Sequence, residues 1–176
     1  MYAVKLNIAF FFASAILITG CKNDNANEQK APVRPVAESL VKANRYLVKQ
    51  EKEAIENYMR RHNWEMQETG SGLRFSILKK GNGEQAVEGK IAVFEYTSRL
   101  ITGDLIYSSA KDGNKIFVVG HGGVESGLEE AVLLMHQGDK AKLIIPSHLA
   151  FGLLGDDNKI PPRATLIYEL ELIELK

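Results

Sequence analysis

Cysteine is almost missing from this 176-residue chain: Cys21 is the only one. A lone thiol excludes an intrachain disulfide framework. An excess of charge is missing too, since 22 Lys+Arg face 22 Asp+Glu, a formal net charge of +0. That balance gives no electrostatic case for nucleic acid, or for an anionic membrane surface, as a partner. Histidine is scarce, and His62, His121, His136 and His148 are scattered with no carboxylate or second histidine at ligand spacing, so no metal site is expected. Gly120-His121-Gly122-Gly123 lacks the lysine and the strand–helix context of a phosphate loop and reads as a tight turn. No serine or cysteine stands in a recognisable nucleophile frame. An enzyme built on this chain is therefore expected to work without a titrating side chain, a metal or a cofactor.

The one long apolar run is Ile8–Ile18, "IAFFFASAILI", behind a positive Lys5. It is far short of the roughly twenty apolar residues a spanning helix needs. It suits a secretory signal peptide over 1–20. The run ends in Ile18-Thr19-Gly20-Cys21. This has the form of a lipobox, with an aliphatic residue, two small ones and a cysteine that accepts lipid. Cys21 is thus the expected lipidation site. Two or more acyl chains hold a protein on a membrane without a transmembrane helix, which places this one at the cell envelope. Residues 21–35 are polar and aperiodic apart from their prolines and read as a tether.

From Val36 to about His62 there is no glycine or proline. Leu40, Val41, Leu47, Val48, Ala54, Ile55 and Tyr58 fall on one stripe of a helix over 36–63, with Lys42, Lys49, Glu53, Glu56 and Arg60 off it. Such a helix either packs on its own domain or pairs with a second copy, giving a homodimer through 36–62.

Beyond Gly70-Ser71-Gly72 the texture changes to short alternating runs, which argues for antiparallel sheet. Leu73, Phe75 and Ile77 share one strand face; Ala92, Phe94, Tyr96 and Leu100 another; Ala141, Leu143 and Ile145 a third; Leu166, Tyr168, Leu170 and Leu172 a fourth. One helix interrupts them. Ser126 and Glu129 have the spacing of a capping box, and Gly138 stands where a C-terminal cap is expected. The economical architecture is α+β, a five- to six-stranded antiparallel sheet curled around one short helix, over 73–176. Two of the five prolines stand side by side, Pro161-Pro162. They fix φ near −65° and push Ile160 towards extended geometry, making it a stiff apolar lip before the last strand.

In that order, "VFEYTSRLITGDLIYSS", "GLEEAVLLMHQGDKAKLIIP", "AFG" and "KIPPRATLIYELELIEL" resemble the FKBP-type peptidyl-prolyl cis-trans isomerases, over about Leu73–Lys176. The lipobox and helical segment resemble lipoprotein members of Bacteroidetes-type bacteria. The resemblance implies the same curled sheet with a proline pocket between sheet and helix. Its walls would be Tyr96, Ile106, Phe117, Leu128, Phe151, Ile160 and Tyr168, with Glu125 offering its main-chain N–H to a substrate carbonyl. Tyr107, Val119 and Val124 stand at the margin. Phe117 matches the first aromatic of the family's "FxF" and Val119 replaces the second. Tyr107 replaces the aspartate of "FDSS", Phe151 the tyrosine of "AYG", and Ser98 the glycine of "YTG". The implied activity is isomerisation of Xaa-Pro bonds in exported polypeptides through an apolar pocket. The alternative is a weakly or non-catalytic chaperone on the same fold. The helix lies outside the matched region, contributes no wall, and is expected to be dispensable for catalysis.

Overall fold

The computed structural model describes residues 34–176; the signal-peptide run, the lipobox at Cys21 and the tether up to residue 33 lie outside the described residues. Helix α1, Arg34–Arg61, is 28 residues long and starts at the end of the segment read as tether. Its last turn carries Arg60 and Arg61, which favour the negative end of the helix dipole. Asn63, at φ 53°, then turns the chain in the left-handed region that asparagine tolerates, and Trp64 N–H closes on Met59 O at 2.9 Å. No helix among the described residues is long and apolar enough to cross a membrane.

Seven antiparallel strands follow: β1 (Gln67–Glu68), β2 (Arg74–Lys79), β3 (Ile91–Leu100), β4 (Leu105–Ser108), β5 (Lys115–Val118), β6 (Lys140–Ile145) and β7 (Leu166–Leu175). Their order is β1-β2-β6-β7-β3-β4, and β5 pairs with the other end of β3. The strand beyond the expected six is the two-residue β1, too short to leave a periodic signal. One turn, α2 (Ser109–Asp112), follows β4, and α3 (Ser126–Val132) covers the concave face.

Side chains alternate between the sheet's two faces. In the central pair, Leu143 faces Tyr168 across β6 and β7, and the next rung sets Ile144 against Ile167. Leu143 and Tyr168 join Phe94, Leu128, Met135, Leu166 and Leu172 in the main core under α3. Ile144 and Ile167 join Ile55 and Tyr58 of α1, with Met59, Trp64, Met66 and Ile101 packed around them. The C-terminal half of α1 therefore covers the back of the sheet. Its N-terminal half projects, leaving Leu40 at 65% and Val41 at 56% exposure although they belong to the same stripe.

Two local expectations are overturned. Ser126 and Glu129 make no capping box: Glu125 is the N-cap and gives no side-chain cap hydrogen bond. Ser126 Oγ donates to Leu149 O, and the Glu129 carboxylate accepts from the N–H groups of Gly120 (2.7 Å) and Gly122 (2.8 Å). A nearby glycine turn, with φ of 82° at Gly120 and 74° at Gly122, thus competes successfully for the carboxylate. Gly138 does not cap α3, which ends at Val132 with Leu133 as its C-cap; at φ 90° it turns the chain into β6, and its N–H donates to Leu172 O at 2.7 Å.

Candidate functional site

The concave face gathers residues from every part of the domain. β3 supplies Tyr96, β4 supplies Ile106 and Tyr107, β5 supplies Phe117, and β7 supplies Tyr168. Val119 follows β5, Val124 and Glu125 lead into α3, and Leu128 lies within it. The connection from β6 to β7 brings Phe151 and Ile160. Ile106, Phe117, Val119, Leu128, Ile160 and Tyr168 are buried in one apolar cluster, with Tyr96, Tyr107, Val124 and Phe151 half-buried against it. The rings of Tyr96 and Tyr168 lie 5.9 Å apart at 30°. Leu128, 1% exposed, belongs to the same cluster. Ser98 is buried in the rung opposite Tyr168.

The expected uniformly apolar pocket is not what the chain builds. Lys115 and Phe117 are two apart in β5 and therefore share a face. Phe117 turns inward and stacks on Phe94, rings 5.7 Å apart at 11°. Lys115 reaches the aromatic walls instead, with Nζ 5.5 Å from the centre of Tyr96 and 5.4 Å from that of Tyr168. Glu125 is not confined to a main-chain role. Its buried carboxylate pairs with Lys115 Nζ at 2.8 Å and accepts the Tyr168 hydroxyl proton at 2.5 Å. Lys115 also donates to Tyr168 Oη at 3.2 Å. Burial pushes the Tyr168 phenol well above its ordinary value, and the charge and hydrogen bond of Glu125 push it further. Burial also raises Tyr96, with Asp112 and Glu125 adding to it. One end of the site is thus an ion pair and two phenols, held protonated at neutral pH. Sequence reasoning missed Lys115 because a lysine opening a short strand reads as a solvent-facing edge. Its spacing of two from Phe117 was the available signal.

The opposite rim is a latched loop. Asp156 accepts the hydroxyl of Tyr107, the N–H of Ile160 at 2.7 Å and the N–H of Asn158 at 3.0 Å. Lys159 Nζ donates to Ile106 O at 3.1 Å and sits 4.6 Å from the centre of the Tyr107 ring. The two prolines are therefore only part of what holds Ile160: a carboxylate grips its N–H from four residues upstream. Burial alone would raise the Asp156 carboxyl, but the hydrogen bonds from Tyr107 and the backbone outweigh it and leave it below its ordinary value. The Asp156 bond is the main cause that raises Tyr107. A carboxylate and a phenol are both present, with the phenol on the strand and the carboxylate on the loop. The side-chain partner of Asp156 is Tyr107, 49 residues away, so sequence reasoning did not single out Asp156.

The FKBP-type peptidyl-prolyl cis-trans isomerase model matches residues 82–173, just over half of the chain. The chain belongs to that family. The probable FKBP-type isomerase FkpA of Neisseria meningitidis serogroup B is 37% identical over 108 residues, covering 61% of this chain and 39% of that protein. The FKBP-type 22 kDa isomerase of Escherichia coli is 39% identical over 108 residues, covering 61% and 52%. The chain thus spans about half or less of the length of these two FKBP-type relatives. Among solved structures, FkpA from Escherichia coli superposes with a TM-score of 0.64 at 27% identity, covering 81% of this chain and 67% of that one. AtFKBP13 superposes with a TM-score of 0.61 at 31% identity, covering 64% and 99%. The first match reaches beyond residues 82–173 of this chain, and the second takes in nearly all of the solved chain.

Proposed function

We propose that this chain is a peptidyl-prolyl cis-trans isomerase that assists folding of proline-containing exported polypeptides. The observation that carries the reading is the stacked pair Tyr96–Tyr168 in one apolar cluster with Leu128 and Ile160. Rotating a peptide bond breaks amide resonance against a barrier of about 18–20 kcal/mol. No bond is made and no proton need move. Water stabilises the planar, polar amide, so a site that excludes it favours the twisted form, and walls that grip the prolyl ring direct the rotation. Ile160, held by Asp156 and by Pro161, is suited to that grip. The Lys115–Glu125 pair keeps its end of the site formally neutral.

The test is catalysed cis–trans relaxation of an Xaa-Pro peptide by the full chain. Relaxation no faster than in buffer ends the proposal. The second reading, a weakly catalytic or non-catalytic chaperone, is favoured by the buried ion pair at one wall. It gains if client aggregation is suppressed while isomerisation is absent.

The apolar run and lipobox support export and lipid anchoring at Cys21, as in lipoprotein members of the family. Mass spectrometry of membrane-extracted protein should find acyl chains on an N-terminal Cys21; an unmodified Cys21 in a soluble exported chain overturns this. The exposed stripe Leu40, Val41, Leu47 and Val48 supports a homodimer through 36–62. Sedimentation equilibrium should give a dimer that Val41→Glu dissociates, and a monomer overturns it.

A further inference from the structure

We propose that Glu51 of α1 is a positioning residue for the substrate pocket, tying both ends of the loop that carries Phe151 and Ile160. The inference rests on the isomerase reading. One carboxylate oxygen accepts the N–H of Ser147 at 2.6 Å and the hydroxyl of Thr165 at 2.7 Å. The other accepts the Ser147 hydroxyl at 3.0 Å. Ser147 stands just after β6 and Thr165 just before β7, so a single side chain closes the base of the whole connection. Both partners are buried at 5% exposure.

The grip is passed on through the main chain. Ser147 O accepts the N–H groups of Ala150 at 3.1 Å and Gly152 at 2.8 Å, the two residues that flank Phe151. Gly152 O then accepts the N–H of Arg163 at 2.8 Å, next to the proline pair. Packing does not duplicate these ties. Glu51 lines an open groove of about 250 Å³ that also takes in Ile55, Arg74 and Pro146, and another of about 400 Å³ that takes in Leu100, Pro162 and Thr165. It stands as a strut bordering both grooves. Hydrogen bonds to an ionised acceptor are about twice as strong as neutral ones. The helix expected to be dispensable thus holds the pocket's loop from behind. In the sequence, Gln50-Glu51-Lys52 is indistinguishable from a solvated helix face.

The full chain carrying Glu51→Leu keeps side-chain volume and loses both acceptor oxygens, whereas Glu51→Gln keeps one oxygen for Ser147 N–H and Thr165. Ile55→Ala loosens the same helix on the sheet without touching the tie. For an Xaa-Pro peptide, Glu51→Leu is expected to lower kcat/KM about tenfold, mainly through KM, because a loosened loop must be ordered at each binding event. Amide exchange over 147–165 should accelerate. Glu51→Gln should restore kcat/KM to within about threefold, and Ile55→Ala should leave it within about twofold, since neither variant frees the loop. Should Glu51→Leu not fold, Thr165→Val removes one tie from the loop side and should give the same signature in milder form. The proposal falls if Glu51→Leu or Thr165→Val leaves both kcat/KM and loop exchange unchanged, or if Ile55→Ala matches the loss. A wild-type chain without isomerase activity would overturn the functional reading instead, while loop exchange would still decide the tie.

Discussion

The two faces of one sheet are built on different chemistry. Behind β6 and β7, Ile144 and Ile167 meet Ile55 and Tyr58, with Trp64 edge-on to Tyr58 at 5.3 Å and Lys142 Nζ 3.7 Å from the centre of the Trp64 ring. One residue along the same strands, the front face carries Tyr168, and with it a carboxylate, an ammonium and a second phenol. The back is an apolar seam whose role is adhesion. The front accepts the cost of burying charge beside an aromatic pair. Apolar truncations behind the sheet should therefore act on stability, and changes at the front on both stability and activity.

The largest expected effect is on the back. Ile55→Ala, at 2% exposure, should cost about 2–4 kcal/mol in urea unfolding, from lost transfer energy and a cavity. Leu40→Ala, on the same stripe but exposed, should cost less than about 0.5 kcal/mol in a monomer. Equal costs in a monomer would break the contrast along α1; in the proposed dimer, where a second copy covers Leu40, the cost should rise with protein concentration.

On the front, Lys115→Met should cost about 2–3 kcal/mol, because it leaves the buried Glu125 carboxylate without its cation. The pair of changes Lys115→Met and Glu125→Ile should recover most of that loss, since apolar replacement of both partners is often neutral or stabilising. A double variant no more stable than the single one would show that the network stabilises beyond its charge balance.

The next effect is on rate. Phe151→Ala admits water to the site and should lower kcat/KM more than about tenfold, equivalent to at least about 1.4 kcal/mol of transition-state stabilisation. Tyr107→Phe removes the hydrogen bond to Asp156 and should cost less than about tenfold. The reverse order, measured on folded variants, would make the polar rim rather than the aromatic wall the seat of catalysis.

The smallest effect is on pH. The Asp156 carboxyl lies below its ordinary 3.8 in the folded chain, so the latch adds stability above that value and loses it as pH falls through the lowered value. Tyr107 lies above its ordinary 10.0, so the same latch loosens again as pH rises past that raised value. The Ile160 amide resonance should titrate with an acid midpoint below 3.8. A midpoint at or above it would mean that the rim is free in solution and only the aromatic wall is preorganised.

Much of this arrangement was legible from periodicity. Alternation put Leu143 with Ala141 and Ile145, and Tyr168 with Leu166, Leu170 and Leu172, and a single apolar stripe marked α1; that Ile144 and Ile167 form a second apolar face came only from the fold. The family resemblance pointed to Tyr96, Leu128, Ile160 and Tyr168, which the fold gathers into one cluster. Local rules failed where a polar side chain had a distant competitor. Glu129 has the spacing of a cap but serves the glycine turn at 120–122. Lys115, Asp156 and Glu51 each look like solvated charges, and each meets its partners across ten, 49 and 96 or more residues.

What the amino-acid sequence determined by itself was therefore the longer elements and an apolar side for each, because helix and strand periods are properties of the local backbone. Only the tertiary structure decided which half of the α1 stripe is covered, since the sheet is wide enough to reach Ile55 and Tyr58 but leaves Leu40 and Val41 exposed. It also decided which charges are structural. A carboxylate's worth depends on what surrounds it after burial, and the side-chain partners of Glu51, Glu125 and Asp156 are brought to them by the fold rather than by the chain beside them.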